Sequence, residues 1–98
     1  MLPPTSPELV LDETRPYFLW WVDATVGDLR HHLKNGTDQE RAYWLGALLR
    51  EANSRDVWLY TSPAEIRQLW PAVWRHLGKS REMWCYLLEL QAPVFDAA

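Results

Sequence analysis

The chain of 98 residues has little of what catalytic and structural sites are commonly built from. It has one cysteine, Cys85, which excludes a disulfide framework and a cysteine-based structural zinc site. Its four glycines stand far apart, and neither G-x-G-x-x-G nor the full phosphate-binding motif G-x-x-x-x-G-K-[ST] occurs, because Val73 stands where that motif needs its first glycine before Gly78-Lys79-Ser80. No apolar run approaches the ~20 residues of a membrane-spanning helix, and the first residues lack the pattern of a signal peptide. We therefore expect a soluble, cytoplasmic protein.

The side chains that act in enzymes also lack suitable neighbours. Cys85 is predicted to lie on a helix between Glu82 and Glu89, which disfavour a thiolate. His31 and His32 are adjacent, so on a helix they point about 100° apart and do not readily share one metal ion. There is no G-x-S-x-G nucleophile motif and no pair of carboxylates on an apolar helix face. We expect no catalytic residue, no metal ion and no cofactor, and a protein that is not an enzyme.

Helix starts are marked by capping residues. Thr25 followed by Asp28 predicts a helix over about residues 26–34. Thr37 and Glu40 form the S/T-x-x-E capping box of a helix that runs to about residue 53. No pair of strands is apparent, so the sequence predicts an all-α domain, a bundle of about four helices.

The strongest helical periodicity lies between a second capping box at residues 62–65 and Gly78. Pro71 stands inside it, which predicts two helical halves stacked nearly in line. A last helix is predicted over about 81–91. The apolar stripe consists of Ile66, Leu69, Trp70, Val73, Trp74 and Leu77.

The two ends of the chain differ from this helical domain, which we place at residues 15–93. Residues 1–14 hold three prolines and scattered acids, which predicts a disordered or loosely attached segment. Residues 94–98 are predicted to be a frayed tail. The apolar run 17–22 has no strand to pair with, so we expect an extended aromatic arm laid across the helices.

Tryptophan is the residue type in excess, with seven in 98 residues. One interpretation is that large rings fill a core poor in Ile and Phe. The other is an interface, because Trp, Tyr and Arg are enriched where proteins bind each other. Trp20 and Trp21 are adjacent, and Tyr43 lies opposite the apolar stripe of its helix, so we expect one of the two tryptophans, and Tyr43, to be partly exposed. The predicted partner-binding residues are Tyr17, Trp20, Trp21, Tyr43 and Trp44.

Charge is distributed unevenly around a net value of −3. Residues 63–81 carry a net charge of +3 between two acidic ends. These cations are either a solvated helix face that pairs with the acidic ends, or a patch for an acidic partner or phosphates. The net charge argues against a dedicated nucleic-acid binder, and a DNA-binding transcriptional regulator remains the alternative function. Its candidate contact residues are Arg67, Arg75, His76, Lys79 and Arg81.

Several short motifs follow one another between about residues 15 and 90. They are Arg15-Pro16-Tyr17-Phe18-x-Trp20, Asp23-x-Thr25-x-x-x-Leu29, Glu40-Arg41-x-x-Trp44-x-x-x-Leu48-Leu49-Arg50-Glu51-Ala52, Asp56-Val57-Trp58, Ser62-Pro63-x-Glu65-Ile66 and Trp84-x-x-Leu87-Leu88. Together they resemble small uncharacterised bacterial helical proteins that are often encoded beside a nucleotidyltransferase of the toxin–antitoxin type. The resemblance implies an antitoxin-like or regulatory role, with no catalytic residue carried over. The sequence thus predicts a non-enzymatic protein-interaction module whose partner is a nucleotidyltransferase or a second copy of the chain.

Overall fold

Helices make up most of the computed structural model, which describes residues 4–93. Within that range there are six α-helices and no strand, so the all-α class is confirmed and the number of helices is six rather than four. The predicted frayed tail, residues 94–98, lies outside the described residues. The helices are α1 (Val26–Asn35), α2 (Asp38–Glu51), α3 (Ser54–Val57), α4 (Pro63–Gln68), α5 (Trp70–Trp74) and α6 (Arg81–Leu88). Three 3-10 turns cover Pro7–Val10, Tyr17–Leu19 and Gly78–Ser80.

The capping residues begin the helices where the sequence predicts. The Thr25 hydroxyl accepts the backbone N–H of Asp28 at 3.2 Å, and the Asp28 carboxylate accepts that of Thr25 at 3.0 Å, which completes a capping box. The Thr37 hydroxyl accepts the N–H of Glu40 at 3.2 Å at the start of α2. These bonds satisfy backbone donors that have no partner within the helix.

Pro71 divides the third predicted helical segment into α4 and α5. Because proline has no N–H, the helical bond to the carbonyl of Arg67 is absent, and the backbone leaves helical geometry at Leu69. The helix restarts when Ala72 and Val73 both donate to the Leu69 carbonyl, at 3.0 and 2.9 Å. The apolar stripe keeps its phase across the break, and both halves face the core.

The core is organised around α2, which contacts α1, α5 and two of the 3-10 turns. A side chain at Gly46 would overlap the Cβ of His76, so this glycine permits the close approach of α2 to the end of α5. Trp84 of α6 is fully buried and donates its Nε1–H to the Leu49 carbonyl at 2.8 Å, which fixes α6 against α2. The largest fully buried side chains are Trp84, Phe18, Leu29, Leu45, Leu48, Leu49, Ile66 and Leu77.

The N-terminal segment packs on the domain, and the prediction of a loosely attached tail is wrong for residues 4–14. Leu9 is only 2% exposed, and the Tyr60 hydroxyl donates to its carbonyl at 2.6 Å. Gly27 at the start of α1 donates its N–H to the Asp12 carbonyl at 2.8 Å. Proline removes backbone donors but leaves carbonyl acceptors, and this segment is held mainly through its carbonyls and one buried leucine.

Asp56 joins the N-terminal segment to α3. Its carboxylate is fully buried and accepts the N–H and the hydroxyl of Thr5, at 2.7 and 2.6 Å, and the hydroxyl of Tyr17 at 2.7 Å. The Tyr17 oxygen in turn accepts the N–H of Asn53 at 2.7 Å. Burial and the bond to Asp56 raise the pKa of Tyr17, so its hydroxyl stays a donor.

The aromatic run after Pro16 is not the expected extended arm. Tyr17–Leu19 forms one 3-10 turn in which the N–H of Leu19 donates to the Pro16 carbonyl at 3.1 Å. Phe18 and Leu19 point into the core and are buried. The turn satisfies backbone groups locally, so no second strand is needed.

Two further observations complete the description of residues 4–93. Within residues 4–93 no helix has the length and apolarity needed to cross a membrane. The outer face of α6 exposes Met83, Tyr86 and Leu87, and Tyr86 is 84% exposed.

Candidate functional site

Trp20 and Trp21 follow the 3-10 turn Tyr17–Leu19 and stand edge to face, with ring centroids 5.6 Å apart. Trp20 is 74% exposed, whereas Trp21 is half-buried. Each indole N–H has an acceptor at 3.3 Å: Trp20 donates to the Glu51 carboxylate and Trp21 donates to the Tyr43 hydroxyl. Both rings are therefore held in place by α2.

α2 continues this row of rings. Tyr43 is 39% exposed and meets Trp44 edge on, with centroids 5.5 Å apart. Trp44 stacks on His32 of α1 at 4.5 Å, with the two rings nearly parallel. We call Trp20, Trp21, Tyr43 and Trp44 the aromatic surface. The prediction that one of the two adjacent tryptophans, and Tyr43, are partly exposed is confirmed, and the exposed tryptophan is Trp20.

Tyr17 does not join the aromatic surface through its polar group. Its hydroxyl is bound to Asp56 and Asn53, and its ring lies edge on against buried Phe18 at 5.2 Å. Half of the ring is exposed. Its observed contacts are those of a side chain that anchors the N-terminal segment.

Three of the five predicted basic contact residues border the aromatic surface. His76 meets the Tyr43 ring edge on at 5.6 Å. Arg75, His76 and Tyr43 also line one cavity of about 570 Å³ between α2 and α5. Lys79 lines a neighbouring depression together with Glu51, which accepts the Trp20 indole N–H. The fold thus brings together two patches that are far apart in the sequence.

Arg50 joins these two patches, and sequence reasoning missed it. Its guanidinium lies 5.5 Å from the centroid of the Trp21 ring, and it donates to the His76 carbonyl at 2.8 Å and to Glu51 at 3.2 Å. The signal was its spacing, because Arg50 stands seven residues after Tyr43 and two helical turns place both on one face. This contact holds α5 against the aromatic surface.

Arg67 and Arg81, the other two predicted contact residues, are used within the fold. Arg67 donates to the Leu88 carbonyl at the end of α6 at 3.3 Å. Arg81 donates to the Trp74 carbonyl at 3.0 Å, and its guanidinium lies 4.9 Å from the Trp74 ring centroid. Their geometry is that of side chains that cap helix ends, which favours the structural interpretation of these two cations.

The electrostatics of the cavity follow from its half-buried histidine. Burial lowers the pKa of His76, and the neighbouring charges of Arg50 and Arg75 lower it further. The ring is therefore neutral at physiological pH. A neutral imidazole adds no charge to the part of the cavity formed by Tyr43, Pro71 and Ala72, while Gln39 and Arg75 line its polar part.

Comparison with family models, with curated proteins and with solved structures finds no match to this chain. Among the residues that the structure describes, no three His, Cys, Asp or Glu side chains come together as metal ligands would. The site is therefore interpreted from its own geometry.

Proposed function

We propose that the protein is a non-enzymatic interaction module that binds a protein partner through the aromatic surface. The observation that carries this proposal is the exposure of Trp20, 74% of whose side chain faces solvent beside Trp21 and Tyr43. Burying most of such a ring in an interface contributes roughly 2–4 kcal/mol. Tryptophan and tyrosine supply much of the binding energy in protein interfaces.

The rings are also held before any partner binds. Hydrogen bonds to Glu51 and between Trp21 and Tyr43 restrict the exposed side chains. Binding costs about 0.5–1.5 kcal/mol for each flexible side chain that it immobilises. A surface whose rings are already restricted loses less of its binding energy in this way.

Two partners are proposed, a nucleotidyltransferase and a second copy of the chain. The resemblance of the sequence motifs to antitoxin-like proteins supports the nucleotidyltransferase. DNA binding by the basic residues has weaker support, since Arg67 and Arg81 are bound to main-chain carbonyls. Binding to bulk DNA with a steep dependence on salt would favour that alternative.

The experiment compares a double variant, Trp20→Ala with Tyr43→Ala, with the control variant Tyr86→Ala. Tyr86 is more exposed than Tyr43 but lies on α6, outside the aromatic surface. Partners are recovered by co-purification from the native host, and binding to a nucleotidyltransferase and self-association are then measured by calorimetry and sedimentation.

We expect the double variant to weaken partner binding by about a hundredfold, which corresponds to roughly 3 kcal/mol. Its melting temperature should stay within a few degrees of wild type, because both side chains project from the core. The control variant should bind as wild type does. Equal binding by wild type and the double variant would refute the proposal.

A further inference from the structure

We infer that the partner segment recognised by the aromatic surface is an acidic polypeptide with an apolar anchor side chain that enters the cavity between α2 and α5. The inference rests on the proposed function and specifies the chemistry of the partner. It is drawn from the juxtaposition of exposed rings, a rim of cations and a partly apolar cavity at Tyr43.

Three described basic side chains, Arg50, Arg75 and Lys79, border the aromatic surface. The nearby carboxylate of Glu51 pairs with Arg50 at 3.2 Å. The whole chain has a net charge of −3, so this cluster of cations is local. Partners are oriented by potentials of opposite sign, which favours an acidic segment here.

The cavity can take an apolar anchor side chain. Tyr43, Pro71 and Ala72 form its apolar part beside the neutral His76, and Gln39 and Arg75 form its polar part. A volume of about 570 Å³ accommodates a leucine or an aromatic side chain. Binding energy in interfaces is concentrated where such a side chain fills a pocket beside exposed rings.

Nucleic acid is the less suitable polyanion for this surface. Bases bind single-strand-binding proteins by stacking on open aromatic faces. Here His32 covers a face of Trp44, and the Arg50 guanidinium lies over the Trp21 ring. Trp20 alone does not form a continuous stacking platform.

A second copy of the chain is also less suitable. A two-fold interface apposes the same patch on both copies. The cations Arg50, Arg75 and Lys79 of both copies would then lie within one interface. Like charges across an interface are costly, so self-association through this surface is disfavoured.

The test uses three labelled probes: a short acidic peptide with one central tryptophan, the same peptide with lysine in place of each acid, and a single-stranded oligothymidylate. Fluorescence anisotropy gives the dissociation constants. We expect the acidic peptide to bind at least tenfold more tightly than the other two probes. Its affinity should fall as NaCl rises from about 0.05 to 0.3 M, since exposed charges are then screened.

Two pairs of variants test separately the positive charge beside the aromatic surface and the shape of the cavity. Lys79→Gln should weaken binding of the acidic peptide about fivefold, whereas Lys34→Gln, an identical charge change on α1, should leave it unchanged. Ala72→Phe fills the cavity and should weaken binding at least tenfold, whereas Ala64→Phe on the exposed side of α4 should not. Melting temperatures confirm that each variant folds.

The inference is overturned if the basic peptide or the oligonucleotide binds as tightly as the acidic peptide, or if Lys79→Gln and Lys34→Gln behave alike. Loss of partner binding in the double Trp20 and Tyr43 variant, with no effect of Lys79→Gln or Ala72→Phe, refutes the acidic assignment and leaves the proposed function standing. No effect of any of these variants refutes both.

Discussion

Asp56 is a fully buried carboxylate whose three hydrogen bonds come from residues far away in the chain. Burial raises the pKa of Asp56, but the bonds from Thr5 and Tyr17 outweigh burial and hold the pKa below its ordinary value. The side chain is therefore ionised at neutral pH. A buried charge of this kind stabilises the fold only while its donors stay in place.

The substitution Asp56→Asn tests this single residue. The amide keeps the shape of the side chain but places an NH₂ group against donors, so we expect a loss of about 2–4 kcal/mol at pH 7. The stabilisation by wild-type Asp56 is complete above the ordinary aspartate pKa of about 3.9 and is lost as pH falls below it. Urea denaturation from neutral to acidic pH should show this loss in wild type and a flatter profile in the variant. Equal stability at pH 7 would contradict the assignment.

His76 is a base rather than an acid, and its titration affects stability in a higher pH range than that of Asp56. Because its pKa is lowered in the folded state, the unfolded chain binds the proton more readily. We expect the free energy of unfolding to decrease as pH falls through the ordinary histidine pKa of about 6.5. His76→Gln should remove this part of the pH dependence, whereas His31→Gln, at an exposed position within α1, should keep it. A wild-type stability that is constant between about pH 5 and 8 would exclude this role.

The N-terminal segment is an integral part of the fold. Deleting residues 1–14 removes a buried leucine, worth about 1.5–3 kcal/mol, and leaves Asp56 with two donors fewer. We expect a loss of roughly 3–5 kcal/mol, which lowers the melting temperature by about 4–8 °C for each kcal/mol. Calorimetry checks this. Leu9→Ala should lower the melting temperature by part of that amount, and an unchanged melting temperature after the deletion would contradict the observed packing.

Some secondary-structure elements could be predicted from the sequence and others could not. The starts of α1 and α2 were predictable because a capping residue and an apolar stripe lie within a few residues of each other. The N-terminal segment was not, because its order depends on Asp56 and Tyr60, about fifty residues away. The break at Pro71 was predictable in position, but whether the helix bends or divides is decided by how both halves pack.

The same contrast applies to the candidate site. Exposure of Tyr43 follows from its place opposite the apolar stripe of its helix, and exposure of one of two adjacent tryptophans was expected. Which of the two faces solvent could not be predicted, because Tyr17–Leu19 forms a 3-10 turn instead of the expected extended arm. The meeting of Tyr43 with His76 and Arg50 could not be deduced, because it requires the packing of α5 on α2. Net charge along the sequence therefore located the basic segment but not its place beside the aromatic surface.

The seven tryptophans range from buried, as Trp70 and Trp84 are, to exposed, as Trp20 is. Trp70 is buried and donates to the Gln91 carbonyl at 2.9 Å, which joins α5 to the chain after α6. We expect Trp70→Ala to cost about 3–5 kcal/mol, a large share of the stability of a domain this size. Tyr86→Ala should change the melting temperature little. A Trp70→Ala protein that melts within a few degrees of wild type would show that this ring is not central to the core.

The contrast between Trp20 in solvent and Trp84 in the core also makes the protein its own optical reporter. Indoles in water emit at longer wavelengths than indoles in an apolar environment, and only the former are readily reached by a dissolved quencher. Iodide should reach Trp20 first, because its side chain is 74% exposed whereas the other tryptophans are half-buried or buried. Emission that iodide quenches would then report mainly on Trp20, and its protection in a complex would reveal, without any label, when the aromatic surface has been covered.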